Sequence, residues 1–65
     1  MPYFNSKAIT CAEYDAASRV LKLWFVGSGG PYDYFGVPQN IYDGLLKASS
    51  KGRYYNQYIR DQYGR

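Results

Sequence analysis

Histidine is absent from this chain and cysteine occurs once in its 65 residues. Without imidazole there is no histidine base and no Cys/His zinc site, and a lone thiol builds no disulfide framework. Most familiar hydrolase designs are excluded with them. Acids are scarce too: the five carboxylates form no local pair spaced for general acid/base work, and Asp33, between two tyrosines, is the best solitary one. The expectation is a chain that is not an enzyme, with no catalytic residue, cofactor or metal. No apolar run approaches the roughly 20 residues of a membrane span, and residues 1–7 lack the continuous apolar stretch of a signal peptide. With one free thiol, Cys11, read as a small buried hydrophobe, the expected compartment is the reducing cytoplasm, away from membranes.

What the chain has in quantity is tyrosine, nine of them beside three phenylalanines and one tryptophan. A domain this short buries only roughly 60% of the surface its unfolded form exposes, and rings that bury about 150–250 Å² each compensate for a small core. Charge is uneven along the chain. Up to residue 46 three cations stand against four anions, whereas Lys47, Lys51, Arg53, Arg60 and Arg65 stand against Asp61 alone. A basic carboxyl end points to an anionic partner.

The elements turn on Pro31-Tyr-Asp-Tyr-Phe-Gly-Val-Pro38. Tyr32 and Tyr34 share one face of a strand that Gly36 and Pro38 stop, and proline suits the first turn of the helix beyond. Strands are expected at 9–14, 19–26 and 31–35. The first places Thr10, Ala12 and Tyr14 on one face and Ile9, Cys11 and Glu13 on the other. The second turns Leu21, Leu23 and Phe25 toward the helices and leaves Lys22 and Trp24 half exposed. Gly27-Ser-Gly-Gly30 reads as a hairpin loop, since it matches neither dinucleotide nor P-loop spacing. Helical periodicity covers 38–48, with an Asp43/Lys47 pair at i, i+4. A serine at 49 or 50 can cap a second helix from 51 or 52 to 63, its broad face carrying Tyr54, Tyr55, Tyr58, Ile59 and Tyr63. The fold expected is α+β: a three-stranded antiparallel meander followed by two carboxyl-terminal helices packed on one face, with residues 1–5 a mobile lead-in and 6–63 a single domain.

The sequence resembles the KTSC domain, a family of about sixty residues found at the carboxyl end of some lysyl-tRNA synthetases and as a stand-alone bacterial protein. The resemblance lies in Tyr32-Asp33-Tyr34, which fits the family's Tyr-x-Tyr, in Phe35-Gly36-Val37-Pro38, Tyr42, Leu45-Leu46, the run from Ala48 to Asn56, Ile59-Arg60 and Tyr63. Ala12 and Glu13 depart from it, standing where a larger aliphatic residue and a glycine are expected. The resemblance implies a domain for which RNA binding has been proposed, and it supplies no catalytic residues.

The leading expectation is a non-enzymatic module that binds RNA, single-stranded or tRNA. Lys51, Arg53 and Arg60 would hold phosphate, the arginines seven apart on one helix face and joined by the free N–H groups near Gly52. Tyr54, or the Tyr32/Tyr34 pair, would stack bases. The alternative is a module that docks on a larger enzyme or an acidic protein. The two tyrosines of the central strand have two possible placements. A four-residue loop at 27–30 sets Phe25 opposite Tyr32 and Leu23 opposite Tyr34, facing the helices, while a one-residue bulge turns both to solvent.

Overall fold

A computed structural model describes residues 3–63. Three strands, β1 (Ile9–Asp15), β2 (Val20–Phe25) and β3 (Pro31–Tyr34), are followed by α1 (Gln39–Lys47) and α2 (Lys51–Tyr58). The strands form one antiparallel sheet in the order β1-β2-β3, the expected meander. No helix among the described residues is long and apolar enough to cross a membrane.

Leu21 and Leu23 of β2 are fully buried beneath the helices, as their alternation requires. In β1 the expected grouping of faces is corrected. A bulge between Ile9 and Cys11 sets Ile9 opposite Phe25 and Cys11 opposite Trp24. One extra residue reverses the alternation on one side of a bulge, so Ile9 leaves the face of Cys11 and Glu13 and joins Ala12 and Tyr14. Ala12 is fully buried opposite Leu23. Residues 3–5 lie along the far edge of β1, where Tyr3 bridges Cys11 and the Phe4 N–H donates to the Thr10 carbonyl at 2.8 Å.

The first hairpin closes on Asp15, whose carboxylate accepts from the Ala17 N–H at 3.1 Å and the Ser18 hydroxyl at 2.9 Å. Arg19 takes a left-handed φ of 59° there, which shortens β2 by a residue at that end. In the second hairpin Tyr32 pairs with Leu23 and Tyr34 with Leu21, two positions along from the register expected for a four-residue loop. A shift of two preserves the face. Tyr34 is therefore only 3% exposed in the core, and the placement of both rings on the open sheet is excluded.

Past β3 the chain must bend into α1 without losing its hold on the sheet. Gly36, at φ 74°, swings Phe35 outward and returns Val37, whose N–H reaches the Arg19 carbonyl at 3.0 Å. The Val37 carbonyl accepts from the Tyr14 hydroxyl and its side chain is fully buried. Pro38 is the N-cap of α1, so the helix begins at Gln39. Asp43 accepts from the Gln39 side-chain amide at 3.1 Å.

In α2 the Ser50 hydroxyl accepts from the Arg53 N–H, making the expected cap. The helix does not run to 63. The Tyr55 carbonyl accepts from both the Ile59 and Arg60 N–H groups, at 3.0 and 2.9 Å, and a turn closed on the Ile59 carbonyl by Gln62 and Tyr63 follows. That turn seats Ile59 fully in the core with Tyr63 packed beside it.

A side chain in the left-handed region costs about 1–2 kcal/mol, and open space surrounds the Gly36 Cβ position. Gly36→Ala is therefore expected to lower stability by about 1–2 kcal/mol, or on the order of 5 °C and more in a domain this small. An unchanged urea midpoint would show that the bend tolerates another backbone conformation.

Candidate nucleic-acid interface

The link between the helices is short, so the end of α1 and the start of α2 share it, and the first cation of α2 falls against the last carbonyls of α1. The Lys51 ammonium donates to the Leu46 and Ala48 carbonyls at 2.9 and 2.6 Å. It also lies 5.0 Å from the centre of the Phe4 ring. A lysine so placed satisfies carbonyls that a helix end leaves open and complements its dipole. Its ammonium thereby ties the start of α2 to the end of α1.

Arg53, two residues on and so toward the opposite side of the helix, is exposed. Its side chain borders a shallow depression of about 200 Å³ with Ser49, Ser50, Tyr54 and Gln57. The Tyr54 hydroxyl donates to the Ile41 carbonyl at 2.9 Å, which carries the ring across Gly44 of α1. A Cβ at Gly44 would stand 2.1 Å from the Tyr54 oxygen, and this is why a helix tolerates glycine at its centre. Burial, and then the negative charges Tyr58 and Tyr63 would carry if ionised, raise the Tyr54 phenol above its ordinary value near 10, keeping it protonated as a donor. Tyr58 packs against Tyr54 with ring centres 4.6 Å apart, yet remains 47% exposed.

The residues expected to act together are thus divided. Lys51, Arg53 and Tyr54 meet at the α1–α2 link. Arg60 is exposed but lies in the turn beyond α2, so the expected eclipsing of two arginines on one helix is corrected. Tyr32 lies edge-on to Phe25 with ring centres 5.4 Å apart. Tyr34 meets Tyr55 hydroxyl to hydroxyl at 2.6 Å and presents no ring face to a ligand. On the open sheet face Lys22 stands 3.8 Å from Asp33 across the strands. Among the described residues no cluster of His, Cys, Asp or Glu could hold a metal ion.

Two features escape a reading of the sequence. The exposed ring of α2 is Tyr58, which helical periodicity groups with the buried face. The other is a groove of about 730 Å³ between residues 3–8 and the α1–α2 link, bordered by Tyr3, Phe4, Lys7, Ser49, Ser50 and Lys51. Two aromatics and a lysine within five residues are the available signal, in a segment whose position in the chain reads as mobile.

The sequence profile of the KTSC domain matches residues 5–63. A protein of Tsukamurella paurometabola is 41% identical over 59 residues, covering 91% of this chain and 87% of that one. A lysine–tRNA ligase of a Nostoc species is 36% identical over 55 residues, which are 85% of this chain but 10% of the ligase. Among solved structures, a KTSC domain protein from Yersinia pestis superposes with a TM-score of 0.89 at 30% identity, covering 97% of this chain and 87% of that one.

Tyr54 and Gly44 form a testable pair. Alanine at a helical glycine ordinarily stabilises by about 1 kcal/mol, but here Gly44→Ala is expected to destabilise by about 1–3 kcal/mol through overpacking. In a Tyr54→Ala background the same change should become stabilising. A double-mutant cycle in chemical denaturation reads the coupling, and additive effects would show that the ring does not rest on Gly44.

Proposed function

The chain belongs to the KTSC domain family, and on that premise we propose that it is a non-enzymatic module that binds single-stranded RNA, a free strand or the unpaired part of a tRNA, across the α1–α2 link and the outer face of α2. The observation that carries this reading is the depression beside α2. There an exposed guanidinium, two serine hydroxyls and the edge of a tyrosine line one hollow with no carboxylate among them. Guanidinium forks suit phosphate, and ring faces suit bases of any identity. The excess of cations beyond residue 46 adds long-range attraction for a polyanion. The match within lysine–tRNA ligases supports RNA as the class of ligand.

Roles differ from those the sequence suggests. Arg53 and Arg60 carry phosphate, Tyr58 supplies the stacking ring beside Tyr54, and Lys51 holds the link in shape. Tyr32 and Tyr34 support the sheet beneath. Contacts of this kind position a strand without reading its bases, so discrimination among sequences should be weak.

The test is a paired charge removal. Arg53→Gln with Arg60→Gln should melt within a few degrees of the native chain, as surface changes usually do. Its affinity for a single-stranded oligonucleotide at low salt should fall by an order of magnitude or more. The log–log salt slope should shallow by about 0.7 for each phosphate that the variant no longer neutralises. Arg19→Gln with Lys22→Gln makes the same change in net charge outside α2 and the α1–α2 link and should lose far less. Equal losses would mean that net charge alone attracts RNA, and unchanged binding in both would favour docking on a protein instead.

A further inference from the structure

We infer that the groove between residues 3–8 and the α1–α2 link seats one nucleotide of the bound strand, its base on the ring of Tyr3 and its phosphate on Lys7. This rests on the RNA reading above and extends it to a segment outside both helices. The first support is continuity. Ser49 and Ser50 border both the groove of about 730 Å³ and the depression of about 200 Å³ that holds Arg53. A strand lying on Arg53 therefore has a neighbouring hollow to enter without leaving the surface.

The second support is charge. Among the described residues the charged side chains that border the groove are Lys7 and Lys51, with no carboxylate beside them. Lys51 is spent on the Leu46 and Ala48 carbonyls, which leaves Lys7 as the cation on the groove's outer wall. The Ser6 hydroxyl accepts from the Ala8 and Ile9 N–H groups at 3.1 and 3.3 Å. This turns the chain at Ser6 and leaves Lys7 exposed.

The third support is the presentation of Tyr3. The residue is 72% exposed, above Phe35 at 52% and Tyr58 at 47%. Its backbone is nevertheless anchored by the bridge to Cys11, and that of Phe4 by the bond to the Thr10 carbonyl. A ring displayed on a held backbone loses little freedom when a base stacks on it. Phe4 does not serve the same end, because the Lys51 ammonium already lies over its ring. The groove's volume falls within the roughly 300–1,000 Å³ of pockets that take small ligands, enough for one nucleotide.

Fluorescence anisotropy with a labelled oligouridylate of about ten nucleotides tests this, since stacking on a ring is worth about five-fold or more in affinity when the ring is removed. Tyr3→Ala should weaken binding by about that factor and Tyr3→Phe should not. Lys7→Gln should shallow the salt slope by about 0.7, the value for one phosphate contact. All three variants should melt with the native chain. If the native chain binds, Arg53→Gln with Arg60→Gln does not, and the Tyr3 and Lys7 variants bind like the native chain, the groove assignment fails while the RNA reading stands. Equal weakening by Tyr3→Ala and Tyr3→Phe would overturn stacking on Tyr3. A native chain that does not bind the oligonucleotide removes both readings together.

Discussion

Between Lys51 and Tyr58, α2 buries no residue completely, so it cannot be held to the sheet by aliphatic side chains as an ordinary amphipathic helix is. It is held by Tyr55. That ring stands edge-on to Phe25 and to Tyr34, with centres 5.0 and 5.8 Å apart, and its hydroxyl meets that of Tyr34 at 2.6 Å. A phenol buried without a partner is costly, whereas the one hydrogen bond these two share adds about 1 kcal/mol to the ring burial around them. Ile59, fully buried just beyond the helix, completes the attachment. A domain of this size has only about 3–10 kcal/mol of stability to lose, so the Tyr34–Tyr55 contact is a sizeable share of what holds α2 to the sheet.

The proposed interface depends on that attachment. With the inward side of α2 committed to rings, Arg53, Gln57 and Arg60 are left on the surface, and the helix start is set against residues 3–8. Lys51 fixes the angle of the link by bonding back to α1, and Tyr54 fixes it from the other side by reaching over Gly44 to the Ile41 carbonyl. The residues that shape the site are thus mostly bystanders to the ligand, and those that would touch it contribute little to folding. Substitutions can separate the two roles for that reason.

Much of the architecture was legible because its signals are local. Alternation in β2 marked Leu21 and Leu23 as core, Gly36 and Pro38 marked the bend, and the serine pair at 49–50 marked the cap of α2, which Ser50 makes. The bulge at Thr10 was not legible, since a single inserted residue leaves no compositional trace, and the two-residue shift of the β2–β3 register depends on how the loop at 26–30 closes. The site was harder. Charge asymmetry located the basic end, yet whether a lysine holds phosphate or a helix carbonyl depends on which chain segment folds back beside it. Lys51 looks like Arg53 in sequence and differs from it only in having Leu46, Ala48 and Phe4 within reach. For the same reason Tyr3 and Lys7 gained meaning only when β1 carried them against the link.

If ligand and core occupy opposite sides of α2, residue-by-residue NMR titration with single-stranded RNA will separate the two faces. Amide shifts should concentrate at 3–7, 49–53 and 57–60, with the Trp24 indole and the Lys22 and Asp33 amides of the open sheet face unmoved. Shifts centred on Trp24, Lys22 and Asp33 would contradict it, placing the ligand on the sheet and leaving the helices as scaffold.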